Sequence, residues 1–369
     1  MSTGPGAAPP HGPAAPPDGE PGLPAASRAF ALAVVVGTVG GALFAWIGTP
    51  LPWLLGALFA CAASNLAGAG LRAPVVARHA GQWVIGAALG LYFTPDALER
   101  LLALGPYIAA GAVYAILLGF AFAWSLFRFA RVDVPTAFFA GAIGGASEMA
   151  AQGERAGGSV QLIAAAHVMR ILLVVSTLPF VYQWLRVQGT DAWTQSAAAV
   201  EPAGLALLVG ATCAGGLLVR RLGAPNAWVI GPLLVAGGLT GSGVALSSLP
   251  AWVIVAGQVL IGIALGSRFR PGFFAEAPRF LAVVAASTLA GIAVSALFGW
   301  ALARAAGISP ATMILATSPG AIAEMSLTAK ALRLGVPVVA VFHVMRYVVL
   351  VLTVGVLYRL ALHAIARRC

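Results

Sequence analysis

Long apolar stretches recur along most of this chain, and they limit its fold more than any other feature. Each stretch from Phe30 onward is about 20 residues long, which lets a helix cross a hydrocarbon core of roughly 30 Å. Only 9% of the residues are charged, against roughly 25% in soluble domains. The stretches lack the alternation of polar and apolar residues that is typical of an outer-membrane β-barrel. They must therefore be helices, because a helix satisfies its backbone hydrogen bonds internally in lipid. The sequence predicts an all-α polytopic protein of an inner membrane.

The apolar stretches form two copies of one pattern. His167-Val-Met-Arg170 recurs letter for letter as His343-Val-Met-Arg346, and Glu148-Met149 recurs as Glu324-Met325, both 176 positions later. A constant offset across separate motifs indicates an internal duplication. The two sets of segments lie near 29–47, 51–69, 79–94, 102–127, 135–152 and 160–184, and near 203–219, 225–242, 251–267, 280–303, 309–329 and 336–361. We expect a disordered Pro/Gly/Ala-rich tail at 1–27, membrane repeat one at 28–186 and membrane repeat two at 200–362.

Loop charges predict that the two repeats have opposite orientations in the membrane. The loop after the first span has no Arg or Lys in repeat one, whereas its equivalent carries Arg220 and Arg221. The next loop carries Arg72 and Arg78 in repeat one and no basic residue in repeat two. Because Arg and Lys favour the cytoplasmic side, equivalent loops should lie on opposite sides. Inversion needs an odd number of crossings, so we predict five per repeat plus one broken or re-entrant element, with both termini cytoplasmic.

Segments 135–152 and 309–329 are the candidates for these incomplete crossings, because glycine and proline interrupt them. Each break is followed by a glutamate. Non-helical backbone at membrane depth is tolerated only where protein or water covers it, and its freed amides and carbonyls can bind an ion. A kink that merely allows close helix packing is the alternative. The predicted substrate- or ion-binding residues here are Gly144, Gly145, Glu148, Ser318, Pro319, Gly320 and Glu324.

The two His-x-x-Arg motifs place arginines near the middle of the membrane. His167 and Arg170 share one helix face, and Arg170 lies about 15 Å into its segment. His343 and Arg346 have the same depth in repeat two. A charge there is costly and normally faces a cavity or an acidic partner. We therefore predict that the two glutamates face these arginines across a shared cavity and could carry a coupling proton, with a purely structural Glu–Arg pair as the alternative.

Gln82 and Gln258 occupy equivalent positions in glycine-rich spans. Their amides are candidates for lining the same cavity, and hydrogen bonding between helices is the equal alternative.

The charge and the cysteines predict neither a nucleic-acid partner nor a metal site. The formal net charge is +10, but the basic residues are scattered over many short loops and form no patch. The three cysteines form no CxxC motif or Cys/His cluster. We predict no metal and no cofactor, and expect the lipid bilayer and a small-molecule or ion substrate as partners.

The doubled motifs resemble those of the AbrB duplication family of bacterial membrane proteins. In both copies a glycine-rich segment with Glu-Met is followed 19 residues later by His-x-x-Arg, and the resemblance covers roughly residues 30–362. The soluble DNA-binding regulator of the same name has a different fold. Inverted repeats with broken helices also resemble the cation–proton antiporter and anion transporter superfamily. One departure is that Ala142-Ile143 stands where repeat two has Ser318-Pro319, so the half-sites should differ.

The resemblance implies a secondary transporter in a bacterial inner membrane, with an anionic metabolite as a candidate substrate and indirect regulation of gene expression as a consequence. Family members also carry the label putative ammonia monooxygenase. An oxygenase needs a copper or iron site built from His or carboxylate ligands; only His167 and His343 lie in the interior of membrane segments and no third ligand is apparent there, so we do not expect an enzyme. A channel for a small neutral solute such as ammonia, lined by this histidine pair, is the other alternative.

Overall fold

The computed structural model describes residues 23–189 and 199–366, and every regular element in this part of the chain is helical. Six helices are long and apolar enough to cross a membrane, which confirms the predicted all-α membrane class. They are Ala26–Ile47, Gly105–Ala130, Val160–Trp184, Pro202–Arg221, Pro278–Ala306 and Val336–His363. Residues 1–22 of the predicted tail lie outside the described residues, and the first helix begins at Leu23, ahead of the predicted repeat boundary at 28.

Repeat one contains eight α-helices. The amphipathic α4, with an N-capping Thr94 side chain, was absent from our sequence predictions. The helices are Leu23–Ile47 (α1), Pro52–Leu66 (α2), Val75–Gly90 (α3), Pro95–Ala103 (α4), Gly105–Ser125 (α5, continued by a π-helical turn at Leu126–Ala130), Val134–Gly141 (α6), Ala146–Arg155 (α7) and Val160–Trp184 (α8).

Repeat two has the same order of elements. The last three helices of each repeat begin 176 positions apart, the offset found in the motifs. The helices are Pro202–Arg221 (α9), Ala227–Gly241 (α10), Ala251–Gly266 (α11), Phe273–Glu276 (α12), Pro278–Ala306 (α13), Pro310–Thr317 (α14), Ile322–Ala331 (α15) and Val336–Ala366 (α16).

The two broken segments fold back on themselves. In repeat one, α6 and α7 are joined by a tip at 142–145, and the backbone N–H of Ser159, just after α7, donates to Thr136 Oγ1 at the start of α6 (2.8 Å). In repeat two the N–H of Gly335 donates to Thr312 Oγ1 in the same way (3.1 Å). The start of each segment therefore meets its end. The predicted break is confirmed in both copies, and each segment is a helical hairpin.

The helices pack as two groups. Helices α1, α2, α3, α9, α10 and α11 contact one another and form the scaffold group, whereas the two hairpins pack with α5, α8, α13 and α16 in the hairpin group. The scaffold helices approach closely because glycines face each other: a Cβ on Gly56 would overlap the backbone of Gly40, and the equivalent Gly231 faces Gly215 in the same way. Helix α3 contacts α15 and α16, and the site described below lies where the groups meet.

Close backbone contacts give the directions of the scaffold helices. Gly81 on α3 contacts Ile261 on α11, as well as Gly257. Val84, which lies further along α3, contacts Gly257, which lies earlier on α11. Because the residue numbers run in opposite senses, these equivalent helices cross antiparallel. Helices α2 and α11 run parallel, since Gly262 meets Leu54 and Gly266 meets Leu58.

Candidate functional site

A polar cavity of about 360 Å³ lies between the scaffold group and the hairpin group. Its walls come from both hairpin tips, from α8 and α16, and from the near ends of α3, α9, α10 and α11. The two broken segments and the two His-x-x-Arg motifs are thus brought together, although 176 positions separate the copies. The predicted residues that line the cavity are Gln82, Gly144, Gly145, Glu148, His167, Arg170, Pro319, Gly320, Glu324, His343 and Arg346.

Two predicted residues are outside the lining. Gln258 is half-buried on α11, and its equivalent Gln82 alone contributes to the cavity wall. The Ser318 hydroxyl donates to the Leu315 carbonyl (2.7 Å) and contacts Met325 Sδ (3.3 Å). Ser318 therefore serves the site through its backbone carbonyl.

Arg170 binds the tip of the first hairpin. Its Nη1 donates to the carbonyls of Ala140 and Gly141 (both 3.3 Å), and its Nη2 donates to the carbonyl of Ala142 (3.0 Å). The break in the helix frees these carbonyls from the intrahelical ladder. A buried guanidinium, only 5% exposed, thus satisfies backbone acceptors that lipid cannot.

Arg346 makes the equivalent contacts at the second tip. Its Nη1 donates to the Ser318 carbonyl (2.7 Å) and its Nη2 to the Gly320 carbonyl. The two glutamates and the two arginines line the same cavity, as predicted, but the direct partners of the guanidinium Nη atoms at the tips are backbone carbonyls. Within the described residues, the freed tip carbonyls accept hydrogen bonds from the guanidinium Nη atoms. These carbonyls lie on the same hairpins as the glutamates.

The two histidines have different hydrogen bonds. Nδ1 of His167 accepts from Arg170 Nη2 (2.7 Å), so its Nε2 carries the hydrogen and donates to the Phe139 carbonyl (3.1 Å). In His343 it is Nδ1 that donates, to the Val339 carbonyl (3.0 Å). Its Nε2 is then an acceptor, and this buried atom has no hydrogen-bond partner within the part of the chain that the structure describes.

The two glutamates also differ. Glu148 is half-buried at the cavity wall, whereas Glu324 is 5% exposed. Oε2 of Glu324 is buried, and no described residue hydrogen-bonds to it. Arg268, which follows α11, lines the same cavity as Glu324.

The cavity wall includes residues that the sequence analysis did not single out as site residues. The loop charges of the sequence predict only a topological role for Arg78 and Arg220, and Arg268 after α11 joins them in the wall. His79 and Trp228 form a stacked pair with ring centroids 5.8 Å apart, and both line the cavity. The position of these arginines next to glycine-rich spans could have identified them as candidate site residues. A charged side chain at a helix end can face a cavity as well as the cytoplasm.

The site is electropositive. Five arginines line it, against two glutamates. Three buried donors in the lining, Arg78 Nε, Trp228 Nε1 and Arg346 Nε, have no hydrogen-bond partner among the described residues. The first residues of α7, α10 and α15 also lie in the wall, and helix N-termini present free N–H groups and a partial positive charge.

No group of three or more His, Cys, Asp or Glu side chains that could hold a metal ion is present within 23–189 and 199–366.

Sequence comparison places these features in a wider context. Residues 53–362 match the profile of the family described as transition state regulatory protein AbrB. The chain is also similar to a protein of Bacillus subtilis (strain 168) called uncharacterized protein YhjN. The two are 25% identical over 354 residues, which cover 89% of this chain and 92% of the relative. The family match therefore spans repeat two and repeat one from residue 53, a range that contains every residue lining the cavity.

Proposed function

Since this chain belongs to the AbrB family, with repeat two and all of repeat one after residue 52 inside the matched region, we propose that it is a secondary transporter that carries a small anionic metabolite across the membrane. The observation that carries the proposal is the set of unpartnered donors in the cavity. Arg78 Nε, Trp228 Nε1 and Arg346 Nε are buried without an acceptor among the described residues, and a buried donor left unpaired costs about 1–3 kcal/mol. An anion supplies the acceptors that these groups lack.

The balance of charge supports the same substrate class. Five arginines against two glutamates leave the wall with an excess of positive charge, which is expensive at membrane depth unless a ligand offsets it. The helix N-termini in the wall add further attraction for an anion. A volume of about 360 Å³ suits a small metabolite.

We infer that the two repeats are inverted and that the cavity opens to the cytoplasm. The antiparallel crossing of the equivalent helices α3 and α11 supports inversion, because equivalent helices of parallel repeats would point the same way. Arg78, Arg220 and Arg268 in the wall support the cytoplasmic opening, since basic residues favour that side. The paired hairpins with tips near a central cavity are also the arrangement expected of inverted-repeat transporters.

The channel alternative has less support. A histidine pair in a pore needs free imidazole edges, but both ring nitrogens of His167 are bonded to Phe139 and Arg170. A regulatory effect of the kind that the family description names would follow indirectly, through the metabolite carried.

The first prediction is that anions stabilise the purified protein. Sulfate, phosphate and a panel of mono- and dicarboxylates should be tested by thermal unfolding in detergent at constant ionic strength. A bound anion stabilises by about 2.7 kcal/mol at one hundred times its dissociation constant. Arg220→Gln should raise the apparent dissociation constant of the anion roughly tenfold, because a charged hydrogen bond contributes about 1.5 kcal/mol, and should therefore about halve the stabilisation at that concentration.

Arg221→Gln is the matched control. Arg221 is the next residue on α9 and is exposed like Arg220, but only Arg220 is part of the cavity wall, so this variant should respond like the unmodified protein. If no anion raises the unfolding temperature, or if both variants lose the response equally, the anion proposal is contradicted.

A further inference from the structure

We propose that Glu324 and His343 form a proton-binding subsite in repeat two, and that repeat one has no working counterpart. The idea that this proton drives transport rests on the proposed function, whereas the existence of the subsite does not.

The unmet hydrogen bonds of the site fall into two chemical classes. The donors Arg78 Nε, Trp228 Nε1 and Arg346 Nε need an acceptor, as argued above for the anion. Glu324 Oε2 and His343 Nε2 are the opposite case, since both are buried acceptors with no partner among the described residues. An anion cannot satisfy them. They require a ligand that brings a hydrogen.

The hydrogen-bond partners of His343 make its acceptor role specific. Because Nδ1–H donates to the Val339 carbonyl, the neutral ring has its lone pair on Nε2. His343 is fully buried, and α16, which carries it, packs against α15, which carries Glu324. A proton bound by the Glu324 carboxylate forms one O–H bond, needs no electron transfer, and removes one negative charge from the wall.

The surrounding charges favour a proton over a metal cation. The titratable groups that line the cavity on the elements packed against α15 are Arg78 and His79 on α3, His167 and Arg170 on α8, and His343, Arg346 and Tyr347 on α16, and Arg268 after α11 lines it too. A metal cation would stand among four arginines with a single carboxylate as its charged ligand. A proton forms a covalent bond to oxygen and leaves a neutral acid. No separate cation then remains for the surrounding arginines to repel.

Repeat one does not provide this chemistry. Both nitrogens of His167 are occupied, and Glu148 is half-buried with access to the cavity. The two histidines differ because the neighbouring arginines bind different partners. Arg170 donates to His167 as well as to its tip, whereas the Nη atoms of Arg346 go to Ser318 and Gly320.

Protonation of Glu324 would favour anion binding. With Glu324 neutral, five arginines in the wall are opposed by one glutamate instead of two. Coupling of this kind is reciprocal, so a bound anion must favour the proton by the same factor. The two ligands would then move in the same direction.

The test is infrared difference spectroscopy of the purified full-length protein between acidic and alkaline buffer, without added substrate. A protonated carboxyl has a C=O stretch that its carboxylate lacks. We expect a pH-dependent carboxyl band that disappears in Glu324→Gln, remains in Glu148→Gln, and changes frequency in His343→Ala. Glu324→Asp retains a carboxyl group and should show a shifted band even if Glu324→Gln folds poorly.

Three outcomes would overturn the proposal: a band that remains in Glu324→Gln, a band that only Glu148→Gln removes, or stabilisation by sodium chloride over an otherwise identical potassium buffer that depends on Glu324. Loss of the band in Glu324→Gln together with no thermal response to any anion would support the subsite and count against the proposed transport substrate. The two proposals can therefore fail separately.

Discussion

At the residue scale, Arg170 and Arg346 stabilise the broken backbone. From sequence, the cost of a buried charge correctly predicts that each arginine has a partner, but it does not identify the direct hydrogen-bond acceptors. In the structure these acceptors are the tip carbonyls. Residue spacing cannot predict this choice, because it depends on which way a freed carbonyl points once the helix stops at Gly141 or Thr317.

The guanidinium fork should be essential at this position. Arg170→Lys retains the charge but replaces a planar fork with a single ammonium group, so it cannot reach all three tip carbonyls. Arg170→Ala leaves them unsatisfied, at about 1–3 kcal/mol for each buried group. We expect the thermal midpoint in detergent to fall in the order unmodified protein, Arg170→Lys, Arg170→Ala.

Arg304→Ala is the control for this series, since Arg304 is exposed and contacts the Trp300 ring. Its midpoint should stay close to that of the unmodified protein. Equal stability of Arg170→Lys and the unmodified protein would show that charge alone suffices.

At the element scale, the hairpins are the part of the fold best predicted from sequence. Glycine and proline located both breaks, and the apolar stretches located most helices within a few residues. The sequence did not predict that the start and end of each hairpin would join through Thr136 and Thr312. A hydrogen bond between a threonine side chain and a backbone N–H 23 residues away produces no periodic pattern in the sequence. It forms only when the hairpin has closed.

Opening of the hairpin base gives the next prediction. Thr136→Val keeps the side-chain shape but removes the acceptor for the Ser159 N–H, a loss of about 0.5–1.5 kcal/mol. We expect faster amide hydrogen exchange at 157–160 and little change at 333–336. Thr312→Val should show the reverse. Equal exchange changes at both bases in either variant would contradict independent closure of the two hairpins.

At the scale of the whole molecule, the arrangement of the repeats brings distant residues to one cavity. Motif spacing predicted that the copies exist, and loop charge predicted their orientation. The role of Arg78, Arg220 and Arg268 could not be predicted in this way, because a basic residue at a helix end satisfies the topological rule whether it faces water or the cavity. Only the packing of α3, α9 and α11 beside the hairpins distinguishes the two.

Labelling of single cysteines should reveal the orientation. In a background without Cys61, Cys213 and Cys369, an impermeant thiol reagent added to intact cells should modify Arg100→Cys and Arg186→Cys but not Arg221→Cys. Arg221→Cys should react in inverted membrane vesicles.

Two further exposed positions test inversion directly, since Arg155 ends the second helix of the first hairpin and Arg333 lies just after the second hairpin. Arg155→Cys and Arg333→Cys should react from opposite sides. Reaction of both from the same side would exclude inverted repeats.

The contact between Gly81 and Gly257 has a consequence for the origin of the chain. These glycines are equivalent positions of the two repeats, and a Cβ on Gly81 would lie 2.9 Å from the Gly257 carbonyl oxygen. In an ancestral pair of separate half-length chains, this would be one residue meeting its own copy on a dyad, the isologous contact of a symmetric dimer. In such a dimer any substitution at this glycine would add a side chain on both sides of the contact at once, whereas in a single fused chain each side can change alone.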